Sequence, residues 1–137
     1  MRVLGRVLGI DIGKKRIGLA MSDELRIIAS PFEVHEIKSF EGSLSHITRV
    51  ILDNNVSTVV IGLPINMDGS EGEAAMSARE FMAELKKRAE FEGVFVDERL
   101  SSVEANNILE EAGVHWSKRK GIVDSLAAQI ILQKFIN

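Results

Sequence analysis

The chain has no cysteine, no tyrosine, only two prolines and a single tryptophan. Without cysteine there can be no disulfide and no thiolate-bound zinc, and the chain suits a reducing compartment. The three histidines, His35, His46 and His115, lack the spacing of a metal-binding pair, so a histidine zinc site has no support. Long apolar runs are also missing. Residues 1–8 are apolar but broken by Arg2 and Arg6, which does not make a signal-peptide core. No later stretch reaches the ~20 residues that span a bilayer. The expectation is a cytoplasmic protein that does not enter a membrane. No Gly-Lys-Ser/Thr follows the glycine-rich stretch at 62–72, which argues against a nucleotide-binding P-loop.

What is present is an ordinary globular composition. Of 137 residues, 45% are hydrophobic and 27% charged. That predicts one domain over residues 1–137, with one core and no linker or repeat. The net charge of −3 does not mark a strong non-specific nucleic-acid binder. The distribution says more. Lys14, Lys15 and Arg16 follow Asp11, and Lys118, Arg119 and Lys120 precede Asp124. Either run alone reads equally as a solvated loop. Their shared placement beside acidic residues favours binding of nucleic-acid phosphates.

Periodicity predicts the element order β-β-β-α-β-α-β-α-α. Strands are expected over residues 3–12, 17–22 and 26–36, the third interrupted by Pro31. A helix over 40–54 carries Leu44, Ile47 and Ile51 at helical spacing, and 56–62 is a short apolar strand covered on both faces. A helix over 73–91 shows one stripe of Ala74, Ala78, Phe81, Met82, Leu85 and Ala89, with Gly93 as its stop. A strand over 94–97 precedes a helix that opens on the capping-box pattern Ser101 to Glu104. The last helix, 121–136, turns Ile122, Val123, Leu126, Ala127, Ile130, Ile131 and Phe135 to one face. The fold class is therefore α/β, a mixed sheet with helices on its faces.

Three acidic residues stand at element ends. Asp11 lies in Gly9-Ile10-Asp11-Ile12-Gly13, where strand parity separates it from both isoleucines and the glycines clear space around its carboxylate. Glu98 ends a strand whose parity groups it with Val94 and Val96, leaving Asp97 on the other face. Arg99 beside it could orient a carboxylate or grip a phosphate. Asp124 sits in the first turn of the last helix. Hard oxygen ligands of this kind are what Mg²⁺ or Mn²⁺ requires, and a pair of such ions can hold the attacking and leaving oxygens of a phosphodiester displacement. Each residue has an ordinary alternative: a turn-forming Asp-x-Gly, a surface ion pair, and a carboxylate favoured by the helix dipole. The loop at 62–72 could offer backbone N–H groups to an anion or simply be a long ordered connection. Trp116 could stack on a base or anchor its loop to the core.

Four segments together resemble the YqgF/RuvX family: Gly9 to Gly13 with Arg16-Ile17-Gly18-Leu19-Ala20; Gly62-Leu63-Pro64 with Asn66 to Gly72; Asp97 to Ser102; and Val123 to Ala128. They span nearly the whole chain in order. The resemblance implies an RNase H-like fold and a nuclease that uses Mg²⁺ or Mn²⁺. Asp11, Glu98 and Asp124 would be its metal-binding and catalytic carboxylates, and its work would be processing of the pre-16S ribosomal RNA 5′ end or Holliday-junction resolution. RNA and DNA cannot be told apart at this level, since phosphate contacts ignore the sugar. An RNA processor could act as a monomer, whereas a resolvase needs a homodimer with two sites. Two competing readings are a nucleotide clamp of the actin/hexokinase type, for which the chain is too short, and a non-catalytic RNA-binding or ribosome-assembly module.

Overall fold

The computed structural model of the chain describes residues 5–99, 101–114 and 122–137. The basic run Lys118 to Lys120, with His115 and Trp116, lies outside the described residues. The elements are β1 (Arg6–Ile12), β2 (Arg16–Ser22), β3 (Ala29–Glu36), α1 (Phe40–Asp53), β4 (Val56–Leu63), α2 (Glu73–Lys86), β5 (Glu92–Asp97), α3 (Ser101–Glu111) and α4 (Ile122–Ile136). The sequence order of elements is as expected. The strands form one sheet in the order β3-β2-β1-β4-β5. β1, β2 and β3 run antiparallel to one another in turn, while β4 and β5 run parallel to β1. β1 is thus central.

Alternation along β1 sends Leu8 and Ile10 to one face and Val7 to the other. The first face is the larger core. There Leu8, Ile10, Ile17, Leu19, Val59 and Ile61 of the sheet meet Leu44, Ile47 and Ile51 of α1 and Phe81 and Leu85 of α2. α1 starts where the Ser39 hydroxyl accepts the Gly42 N–H at 3.0 Å, a cap for one of the free donors of its first turn. β4 is buried along almost its whole length, as its apolar run requires.

The second face is narrow. Val7, Ala20 and Val60 pack against Ala128, Ile131 and Leu132 of α4. Small residues on the sheet let this helix sit close. A Cβ at Gly9 would stand 2.8 Å from the Leu132 Cβ, and one at Gly18 would stand 2.0 Å from the Asp124 carbonyl oxygen. α3 packs against α4 from outside.

Four expectations need correction. The α2 stripe is Ala75, Ala78, Phe81, Met82 and Leu85, with Ala74 exposed; the helix stops at Lys86, and Gly93 is a β5 residue paired with Val59. α4 buries Ala127, Ala128, Ile131 and Leu132, whereas Ile122 is 45% exposed. Residues 26–28 are a turn, not a strand: Arg26 has φ 58° and its guanidinium bonds the Gly5 carbonyl and the Ser57 and Thr58 hydroxyls at 2.8–3.0 Å. Pro31 does not break β3. It lies on an edge strand, where its missing N–H is harmless, and the register shifts by one residue beside it. The capping reading at Ser101 falls on side chains outside the described ones; Glu104 pairs with Lys134 of α4 at 3.2 Å.

The close approach at Gly18 gives a direct expectation. Gly18→Ala puts a methyl against backbone that cannot swing away, so it should lower the urea unfolding free energy by ~1–3 kcal/mol or more. A denaturation midpoint equal to wild type contradicts the close packing of α4.

Candidate active site

Asp11 is the next-to-last residue of the central strand and faces α4, on the side opposite Ile10 and Ile12. Its direct partner on β2 is Gly18. Both its neighbours along the strand and its partner across it therefore leave the carboxylate room without offering it a cation.

Glu98 directly follows β5 and keeps that strand's alternation, so it shares a face with Val94 and Val96, which pack on the α4 side. Its N–H donates to the Leu63 carbonyl at 3.2 Å, extending the pairing with β4. From there its side chain crosses to Asp11, and the two carboxyls share a hydrogen bond. Of the two adjacent acidic residues, Glu98 is the one at the site. Asp97 is exposed and bound to Arg99, which holds its carboxyl below the usual range.

The electrostatics are those of two acids pressed together. Burial, then the hydrogen bond to Asp11 and its charge, push Glu98 up to about 9. Asp11 is also raised, by burial foremost, partly offset by the hydrogen bond from Glu98, with the charge of Asp124 pushing upward. At neutral pH Glu98 therefore keeps its proton, and its hydrogen bond favours Asp11 as the acceptor.

Asp124 enters from the first turn of α4, above Gly18. Its Oδ2 accepts from Arg16 Nε at 2.9 Å, and both side chains are about three-quarters buried, at 24% and 23% exposure. Arg16, expected on a phosphate-binding rim, is thus the counter-ion of Asp124. Lys14 and Lys15 are exposed in the turn between β1 and β2, next to the site. Arg99 is not free to orient Glu98, since its Nε and backbone N–H both donate to Asp97, at 2.8 and 2.9 Å. Among the described residues, no three His, Asp or Glu side chains already stand as a metal shell. Asp124 is held by Arg16, and Asp11 and Glu98 are held together by their proton.

The donor set nevertheless fits a divalent cation. It consists of carboxylate oxygens, two of them half-neutralised by a proton that a cation would displace. The loop after β4 is a different matter. The N–H groups of Asn66, Gly69 and Ser70 are used inside it, on Ser70 O, Asn66 O and Asp68 Oδ1 at 2.8–2.9 Å, so they do not form an anion cradle.

A family model described as "RuvX: Holliday junction resolvase" matches residues 5–137. The chain belongs to the RuvX family. Its relatives include a protein of Endomicrobium trichonymphae, 42% identical over 98% of this chain and 96% of its own, and one of Halothermothrix orenii, 43% identical over 96% and 94%. Both carry the name "Putative pre-16S rRNA nuclease". Among solved structures, T. thermophilus RuvC in complex with a Holliday junction substrate superposes with a TM-score of 0.59 at 14% identity, over 96% of this chain and 93% of that one. The RuvX chain therefore has the RuvC-like RNase H fold expected from its motifs.

Sequence reasoning expected Asp11, Glu98 and Asp124 of this RuvX member to converge; the structure pairs Asp11 with Glu98 and sets Asp124 on Arg16. That reasoning missed Gly18 as the space for α4 and Arg16 as the partner of Asp124. The signal for both was present as the segment Arg16-Ile17-Gly18, but the partner lies 108 residues away.

The raised carboxyls set a pH dependence. In the unfolded chain Glu98 titrates near its ordinary 4.5, and in the folded protein near 9. A raised acid favours folding while it is protonated, so this contribution is whole below about 4.5 and is lost as pH rises toward 9. Without divalent ions, thermal stability should fall between pH 5 and 9 more steeply in wild type than in Glu98→Gln, with pH values set by that shift. Parallel curves contradict the buried pair.

Proposed function

We propose that the chain is a metal-dependent endonuclease that hydrolyses phosphodiester bonds, and that its task is processing of the 5′ end of pre-16S ribosomal RNA. The observation that carries the reading is the half-buried pair of Asp11 on the central strand and Glu98 after β5 in an RNase H fold, with Asp124 near them. A fold does not assign a reaction by itself. Here the carboxylates lie where the sheet, the last strand and the last helix meet, and the named relatives supply the substrate class.

Asp11, Glu98 and Asp124 would hold the ion, Mg²⁺ or Mn²⁺ by the hardness of their oxygens. When bound, a divalent ion lowers the pKa of an attacking water and offsets charge on the phosphate. The chain's own residues do the rest. Glu98 would release its proton to water when an ion binds, leaving both carboxylates free to hold it. Arg16, holding Asp124 at 2.9 Å, exchanges that carboxylate for a substrate phosphate as Asp124 turns inward. Lys14 and Lys15 hold the flanking backbone, and Lys118, Arg119, Lys120 and Arg99 complete the nucleic-acid-binding set. No cysteine is available as a nucleophile, and His35 and His46 are engaged elsewhere, stacked on each other with Ser43 and Glu33 as partners.

The reading includes one catalytic domain over 1–137 working in the cytoplasm. Among the described residues no helix is long and apolar enough to cross a membrane. A second reading, Holliday-junction resolution, has the family model's description behind it. It requires a homodimer with two sites, since both strands must be cut.

The test sets a pre-16S 5′ fragment beside a four-way DNA junction, each with and without Mg²⁺, using wild type and Asp11→Asn. The expected result is Mg²⁺-dependent cleavage of the RNA fragment, reduced at least ~100-fold by Asp11→Asn, the scale of losing one preorganised charge. Asp11→Asn should also raise stability in chelator at pH 8, because it removes a carboxylate charge that burial and the nearby Asp124 both disfavour. Cleavage that persists in Asp11→Asn with excess chelator sinks the metal mechanism.

A further inference from the structure

The path from Glu98 to Asp11 is obstructed by a strand. β5 pairs with β4, and β4 with β1, so the Glu98 side chain must cross β4. Ile10 pairs with Ile61, which makes the next residues, Asp11 and Gly62, neighbours across β1 and β4; Gly62 pairs in turn with Val96. Position 62 therefore lies under the crossing. A Cβ built there would stand 2.6 Å from Glu98 Oε2, 2.6 Å from Ile131 Cδ1 and 3.2 Å from Glu98 Cβ.

All three of those atoms belong to side chains. The contrast with Gly18 is informative, because its nearest atoms are the backbone O, C and N of Asp124 and Ser125, at 2.0, 2.4 and 3.0 Å. A methyl at 18 meets something that cannot yield without moving the helix. A methyl at 62 meets two side-chain ends that can rotate away, both at 2.6 Å, and one of them is the carboxyl on which the site depends; the Glu98 Cβ at 3.2 Å asks for only a small shift.

We propose that Gly62 is a positioning residue of this site: its missing side chain is the gap through which the Glu98 carboxyl reaches Asp11. The inference rests on the reading of Asp11, Glu98 and Asp124 as the metal-holding set. Gly62 touches neither metal nor substrate in this account; it acts only through Glu98. Any residue larger than glycine at 62 keeps the sheet and loses the convergence of the carboxyls.

The experiment measures Mn²⁺ affinity by calorimetry for Gly62→Ala in two backgrounds, wild type and Glu98→Gln, with thermal unfolding of each protein and RNA cleavage by wild type and Gly62→Ala. In the wild-type background Gly62→Ala should weaken Mn²⁺ binding by about 10–100-fold, the effect of losing support for a ligand, with a matching rise in the Mn²⁺ needed for cleavage. Its melting temperature should stay near wild type, unlike that of Gly18→Ala. In the Glu98→Gln background the same substitution should cost nothing further, because the two changes act on one carboxylate and cannot add. Adding Ile131→Val to Gly62→Ala removes the Cδ1 clash and should not restore Mn²⁺ affinity. Unchanged affinity, an equal loss in both backgrounds, restoration by Ile131→Val, or failure of Gly62→Ala to fold would each overturn the positioning role. Wild-type protein that neither binds Mn²⁺ nor cleaves would instead overturn the reading of the site beneath it.

Discussion

Asp11 is a charged group on the central strand of a sheet covered on both faces, and it is the residue the rest of the arrangement answers to. Burying a carboxylate costs several kcal/mol unless something offsets it. Here the nearest partner is another acid, Glu98, and the solution without a cation is a shared proton. A chain selected only for stability would place an apolar residue at 11, as it does at 10 and 12. The retained acid pair is a local conflict inside an otherwise consistent core, and such conflicts are where function is expected.

The conflict is built by geometry on all sides of one strand. α1 and α2 fill the opposite face with large aliphatic and aromatic side chains, which fixes β1 and the direction of Asp11. On the site face the chain does the reverse and strips side chains away. Gly9 and Gly18 bring α4 close enough for Asp124 to arrive, and Arg16 neutralises it at the threshold. Asp11 and Asp124 thus begin with different counter-charges, a proton shared with Glu98 and a guanidinium. On the proposed function a metal ion would displace the first and a substrate phosphate the second.

The order of the nine elements among the described residues was legible in the sequence because each carries a local signal: an apolar run, a helical stripe or a glycine. Strand parity set Asp97 and Glu98 on opposite faces but left open which of them faces the site. The failures have equally local causes. Ala74 and Ala75 are chemically identical, so periodicity could not choose which one α2 buries. α4 is apolar around most of its circumference, and its buried side was settled by the shape of the glycine-lined sheet beneath it rather than by its own pattern. Arg26 reads as part of an extended run, but three acceptors on β4 and Gly5 hold its guanidinium and the backbone turns to reach them. The Arg16–Asp124 pair joins opposite ends of the chain and is a product of topology. Family motifs carried the site residues as a set, without saying how they meet.

The central claim is that Glu98 keeps its proton beside Asp11 at neutral pH and, on the proposed function, that a divalent ion would displace it. Calorimetric titration with Mg²⁺ at pH 7.5, repeated in buffers of different ionisation enthalpy, counts the protons released on binding. The account predicts the release of close to one proton per protein in wild type and none in Glu98→Gln. Mg²⁺ binding by the wild-type protein with no proton release would contradict it.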